Sequence, residues 1–223
     1  MIVTVLYVLW ECTVNKTRDL FKKRGLSVKS LNYYRTIEKF WHIGEKWDKL
    51  SPSEKNAIEF AHTNINPEPN RMAADGIHYS IEYCLAHSGE RINERYRRDR
   101  PDPIDLQIAD MIATHRTKIP VVLYRGVCEA VFRKMCENAQ HIDNADFYEK
   151  AFLQTSLVKG HEIKSQYHLR IYVPEGAQAI YLGNVNYEQK YYEVVLQCGS
   201  RLKIISMDNK YINCRLLLEY EYK

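Results

Sequence analysis

The sequence predicts an α+β protein with helices first and strands second, and three observations carry that expectation. Apolar residues recur at helical spacing before Pro120, alternating and β-branched runs dominate after it, and Gly/Pro turns separate those runs. A chain of 223 residues is long enough to bury its own core, and 45% hydrophobic with 27% charged residues excludes a chain dominated by disorder. The formal charge of +4 favours an acidic partner only weakly.

Met1 to Trp10 is apolar, has no basic segment before it and is too short to cross a bilayer; it reads as a core segment, with a truncated leader as the alternative. Leu31, Tyr34, Ile37, Glu38 and Trp41 follow helical spacing. Ser51-Pro52-Ser53-Glu54 then predicts a helix start, with Ser51 as N-cap, Pro52 as first helical residue and Glu54 as the capping-box acid. Ala57, Ile58 and Ala61 continue that helix, and Asn66-Pro67-Glu68-Pro69-Asn70 breaks it. Further helices are expected over about Met72 to Leu85, ending at His87-Ser88-Gly89, and about Asp105 to Thr117. The stripe from Arg91 to Arg98 reads as a solvated helix face. After Pro120, strands are expected at Val121 to Tyr124, Phe152 to Leu157, Leu169 to Val173, Ala179 to Tyr181, Glu193 to Leu196, Leu202 to Ser206 and Leu216 to Tyr220. A helix at Glu129 to Cys136 interrupts them, and Pro174-Glu175-Gly176 and Cys198-Gly199-Ser200 mark turns.

The six cysteines form no Cys-x-x-Cys pair, so their spacing offers no zinc signature and free thiols in a reducing compartment are the default. The chemistry sits on three strands. In Val121-Val122-Leu123-Tyr124-Arg125-Gly126 an arginine ends an apolar strand before a glycine; its fork suits a phosphate pair, and Gly126 permits close approach to the backbone. A salt-bridging edge residue is the alternative. In Phe152-Leu153-Gln154-Thr155-Ser156-Leu157 three adjacent polar side chains ride on an aromatic strand. In Tyr191-Tyr192-Glu193-Val194-Val195-Leu196 a carboxylate opens an apolar strand, a costly placement unless an arginine, a cation or a ligand developing positive charge uses it.

Taken in order, these three segments resemble the Arg/Ser/Glu signature of bacterial exotoxin-type mono-ADP-ribosyltransferases, and Tyr172-Val173-Pro174-Glu175-Gly176-Ala177-Gln178-Ala179 resembles the strand-turn-strand between their second and third motifs. The resemblance covers about Leu50 to the C-terminus, and Ser51 to Arg71 is loosely similar to the family's first NAD-contacting helix. It implies an ADP-ribosyltransferase-like pair of antiparallel sheets forming an NAD cleft, with an N-terminal helical lobe. Residues 1–49 would be a mostly helical extension and residues 50–223 the catalytic domain.

The same resemblance implies NAD+ as co-substrate and no metal. Arg125 would hold the phosphates, the Gly126 backbone the nicotinamide, and Thr155 and Ser156 would line the cofactor site. Glu193 would be catalytic, accepting the ribose 2′-hydroxyl and stabilising the positive charge that develops as nicotinamide leaves, with Gln154 bracing it. Two positions depart from the pattern: Gln154 replaces the first serine of Ser-Thr-Ser, and Tyr191 stands where arginine-modifying members carry a second Glu and others Gln. A phenol is no carboxylate near neutral pH, so Tyr191 points away from arginine and towards another acceptor group on a protein or a nucleic acid. An NAD+ glycohydrolase and a catalytically silent binding module of the same fold are the alternatives. The N-terminal region would contact an antitoxin or a delivery partner, and the protein would act in a cytoplasm, its own or a target cell's.

Overall fold

The computed structural model describes residues 43–66, 71–74, 77–184 and 190–221. The expectations placed on Met1 to Trp10 and on Leu31 to Trp41, and the partner contact assigned to the N-terminal region, fall largely outside those residues.

The chain begins with α1 (Ile43–Asp48), a 3-10 turn (Glu54–Asn56) and α2 (Ala57–Asn64). A hairpin of β1 (Arg71–Ala74) and β2 (Ile77–Ser80) leads into α3 (Ile81–Arg97) and α4 (Pro103–Ala113). Then come β3 (Val121–Val127), α5 (Glu129–Ala139), β4 (Phe147–Glu149), β5 (Leu153–Ser156), β6 (Tyr167–Val173), β7 (Ala179–Gly183), β8 (Glu193–Leu196), β9 (Ser200–Met207) and β10 (Ile212–Leu217). Strands β3 to β10 form a sheet of order β4-β9-β10-β6-β3-β5-β8-β7.

The α+β class holds, with the two expected sheets joined as halves of one. Strands β3 and β6 pair along the whole of Val121 to Val127, but β3 and β5 share a single partner pair, Tyr124 and Ser156. The sheet therefore splays between a five-stranded half ending at β3 and a three-stranded half, β5-β8-β7. The three-stranded half is antiparallel as expected, whereas the five-stranded half is not purely so, because β10 and β6 run parallel.

Alternation distributes the core. Val121, Leu123, Leu169 and Ile171 pack with Ala57 and Ala61 of α2 and Phe132 and Met135 of α5. Val122 and Tyr124 join Tyr211, with Trp47 of α1 stacked on Tyr172. Phe152, Ile180 and Val195 take Leu85 and Ile92 of α3 and Ile108 and Ile112 of α4.

Several helix expectations are corrected. Ser51 is not an N-cap: its hydroxyl lies 2.6 Å from Tyr124 Oη, and the helix begins only at Ala57 after the 3-10 turn. Tertiary bonding to a buried phenol outcompetes the local cap. The segment from Met72 is a hairpin, and the helix runs from Ile81 to Arg97, beyond Gly89. The basic stripe is not merely solvated. Arg95 grips the buried Asp105 at 2.6 and 2.5 Å, and Arg97 grips the buried Glu149 at 3.1 and 2.9 Å. Helix α4 starts at Pro103 behind a reciprocal Asp102–Asp105 capping box. The last strand lies earlier than expected, at Ile212–Leu217.

Candidate functional site

The splay between β3 and β5 opens a cavity of about 220 Å3 lined by Arg125 and Gly126 of β3, Gln154, Thr155 and Ser156 of β5, and Tyr191 and Glu193 at the start of β8, with His161, Glu162 and Ile163 from the β5–β6 connection. All seven residues singled out in the sequence thus border one space. Its size falls below the roughly 300–1,000 Å3 of pockets that enclose a whole ligand, so it would take part of a dinucleotide.

Each side chain is placed by local bonding. Ser156 pairs directly with Glu193 across the antiparallel β5–β8 ladder, and Gln154 sits diagonally from Glu193, opposite Val195. Thr155 points its hydroxyl to the Val194 carbonyl at 2.6 Å, and Ser156 bonds the Val158 carbonyl at 2.8 Å; both spend their hydroxyls on the scaffold. Gly126 is required for a different reason than close ligand approach. A Cβ there would stand 1.7 Å from the Ile163 carbonyl oxygen, so the chain's own β5–β6 connection occupies that space.

The residue before Glu193 is strained. Tyr192 has φ +47°, a left-handed conformation uncommon outside glycine, and persists because its N–H donates to Asn184 Oδ1 at 2.8 Å and its carbonyl accepts from Leu157 N at 2.9 Å. The His161 ring stands edge-on to Tyr192 and bridges the Lys190 carbonyl and Glu54 Oε1 at 2.6 Å each. These contacts fix the approach to β8 and hence Glu193.

Electrostatically the pair is poised. Burial pushes the Glu193 carboxyl above its ordinary value, opposed by a hydrogen bond from Gln154 and the charge of Arg125. Burial likewise lowers the Arg125 guanidinium from its usual range, with Glu149 and Glu193 opposing, yet arginine remains charged. Arg125 donates from Nη1 to the Gln154 carbonyl at 2.7 Å and holds Nη2 4.0 Å from Glu149 Oε2. Its buried Nε has no hydrogen-bond partner among the described residues. A largely covered cation with a spare buried donor thus shares the cavity with a carboxylate that burial pushes above its ordinary range, an arrangement that would suit a charged ligand.

Sequence reading missed Glu149 and Asn93. Glu149, 1% exposed, closes β4 and takes Arg97 and the Ala151 N–H while facing Arg125. Its signal was an acid five residues before Gln154, in a strand too short to register. Asn93 lies on α3, which the sequence reading ended early.

A family model described as ADP-ribosyltransferase exoenzyme matches residues 79–221, more than half of the chain. The chain belongs to the ADP-ribosyltransferase exoenzyme family. Among solved structures, it is similar to Plx2a, an ADP-ribosyltransferase toxin from Paenibacillus larvae, at TM-score 0.50 and 18% identity, over 78% of this chain and 94% of that one. C3larvin, an ADP-ribosyltransferase toxin from the same organism, gives TM-score 0.48 and 18% identity over 62% and 86% of the two chains. C3stau2 from S. aureus, solved with NAD, gives 0.48 and 17% over 62% and 85%. No curated protein matches. The ADP-ribosyltransferase exoenzyme match begins after α2, so α1 and α2 lie before it although α2 is part of the core. Among the described residues of this family member no helix is long and apolar enough to cross a membrane.

Proposed function

We propose that this family member is a mono-ADP-ribosyltransferase that cleaves NAD+ at the nicotinamide–ribose bond and transfers ADP-ribose to a macromolecular acceptor other than arginine. The observation that supports it is the convergence of Arg125 and Glu193 on one cavity at the splay of the sheet, with a spare buried guanidinium donor on one side and a carboxylate displaced upward on the other.

These residues suit the dinucleotide. Arg125, already pinned by the Gln154 carbonyl, would direct Nε and its remaining hydrogens to the pyrophosphate. Glu193 would accept the ribose 2′-hydroxyl. As the C–N bond to nicotinamide breaks, its electron pair leaves with the ring and positive charge grows on the ribose, where the carboxylate stabilises a charge absent from the ground state. The acceptor nucleophile then bonds to the anomeric carbon and loses its proton. Tyr191, which lines the same cavity, would meet the acceptor, and a neutral phenol offers a guanidinium no carboxylate.

The test follows nicotinamide release from NAD+ by wild type and Glu193→Gln. Release by wild type that falls by about 10²–10³-fold in the variant, the scale of one preorganised charge-stabilising group, is expected. Equal rates would end the enzymatic reading and leave a silent binding module. Labelled NAD+ with a target-cell lysate then separates transfer from hydrolysis, since water in place of the acceptor yields only free ADP-ribose.

A further inference from the structure

We infer that Asn93 and Gly89, both on α3, are positioning residues that set the polarity of the Gln154 amide, so that its NH2 rather than its oxygen is presented to Glu193. Its bearing on catalysis rests on the transferase proposal above; the hydrogen-bond polarity does not.

The chain of donors has one possible direction. A backbone N–H can only donate, and that of Phe152 donates to Asn93 at 3.2 Å, which makes the receiving atom Oδ1. Asn93 must then present Nδ2 on its other side, where Gln154 lies at 3.2 Å and receives it with Oε1. Gln154 is left with Nε2 as the free end of its amide. That side chain lies diagonally from Glu193 across the β5–β8 ladder and borders the same cavity, where it opposes the upward push of burial on the carboxyl. A flipped amide would put a carbonyl oxygen against the carboxylate, so a single N–H of β5's own backbone dictates whether Glu193 meets a donor or a lone pair. Asn93 is 3% exposed, leaving no solvent to scramble the order.

Gly89 provides the room. A Cβ at that position would stand 3.0 Å from Gln154 Nε2, tighter than ordinary contact. Glutamine is longer than the serine that the sequence pattern expects at position 154, and the bare helix surface at Gly89 accommodates the excess. Glycine is a poor choice in the middle of a 17-residue helix, so its presence needs a packing reason. Besides Gln154, the charged groups around Glu193 are Arg125 on β3 and, lining the same cavity, His161 and Glu162.

The test is a carboxyl 13C titration of Glu193 in the full chain, its resonance assigned by disappearance in Glu193→Gln. Asn93→Leu, neutral and of similar shape, and Gly89→Ala are each compared with the parent in the wild-type and Gln154→Ala backgrounds. Both substitutions are expected to raise the Glu193 midpoint by about one pH unit, roughly a tenfold change in proton affinity, with Gln154 present and to leave it unmoved without Gln154. Asn93→Leu strands the Phe152 N–H and loses stability, whereas Gly89→Ala gains helix propensity, so a shift in the latter without a fall in Tm separates positioning from unfolding. An unmoved midpoint, or an equal shift in the Gln154→Ala background, overturns the inference. Nicotinamide release measured in parallel keeps the two readings distinct. An inactive wild type with the expected titrations would sink the transferase and keep the polarity, and an active enzyme with unmoved titrations would do the reverse.

Discussion

Two arginines on neighbouring strands, the buried Arg170 and the largely covered Arg125, are treated in opposite ways. Arg170, 4% exposed, is surrounded: Nη1 donates to Asp208 Oδ2 at 2.6 Å and Asn213 Oδ1 at 2.9 Å, Nη2 to Asp48 Oδ2 at 3.3 Å, and the guanidinium lies 4.4 Å from the centre of the Tyr211 ring. Arg125 has one carbonyl, a distant carboxylate and an unspent Nε. The first network ties α1 to the sheet, and although Arg170 Nε also lacks a hydrogen bond of good geometry, it lies 2.9 Å from Asp48 Oδ1 in an ion pair that Arg125 Nε does not have. The second leaves capacity for something not part of the chain, and that difference in satisfaction, rather than burial, separates a structural charge from a functional one.

The acids repeat the contrast. Burial would raise the Asp208 carboxyl, but the N–H groups of Tyr211 and Lys210 and the charge of Arg170 outweigh it and hold it below the ordinary aspartate value. Glu193 ends on the other side, above the ordinary glutamate value. A depressed carboxyl stabilises the fold above its unfolded pKa and loses that contribution as pH falls through its folded pKa. A raised carboxyl favours the fold only while protonated and detracts from it once pH exceeds its folded pKa.

The comparison can be broken first at Arg170. Arg170→Met removes the guanidinium from Asp48 and Asp208, which keep Tyr124, Lys159 and two backbone N–H groups as partners, and is expected to cost about 3 kcal/mol, at the low end for a broken buried pair; denaturant unfolding would show it, and a loss under 1 kcal/mol would remove the structural role. Arg125→Lys is expected to weaken NAD+ binding by about 1.5–3 kcal/mol, since a point charge cannot reproduce the planar fork, with little change in Tm. An unchanged Kd by calorimetry would return Arg125 to the structural class.

Smaller but opposite in sign are the two acid variants. Glu193→Gln is expected to stabilise the fold at pH 7–8 by about 0.5–2 kcal/mol, the usual gain from relieving a functional site, while Asp208→Asn destabilises it. Both differences from wild type should shrink in acid, as Glu193 protonates above its ordinary range and Asp208 below its own. Thermal melts across pH would expose a shared sign as a failure of the contrast. The same shift predicts that wild-type nicotinamide release rises with pH through the raised Glu193 pKa and that this limb is absent in Glu193→Gln.

The part of this account that was legible in the sequence is the part written in local pattern. The strand at Glu193–Leu196 appears at the expected residues because alternation, an apolar run and a turn agree there. The residues drawn to the cavity were recognisable because three separated motifs occur in order. What was hidden depends on contacts remote in sequence. Ser51 left its cap for Tyr124 across the fold, a hairpin stood where helical spacing suggested a helix, and Asn93 and Glu149 acquire meaning only once the fold brings the one to Phe152 and the other beside Arg125. The splay itself is a matter of missing ladder pairs between β3 and β5, which no single segment encodes.

The most direct measurement is a crystal structure of Glu193→Gln grown with NAD+. The account predicts the nicotinamide ribose within hydrogen-bond reach of residue 193 and the pyrophosphate on the Arg125 guanidinium, in the opening between β3 and β5. A dinucleotide bound elsewhere on the chain, with that opening empty and Arg125 uncontacted, would contradict it.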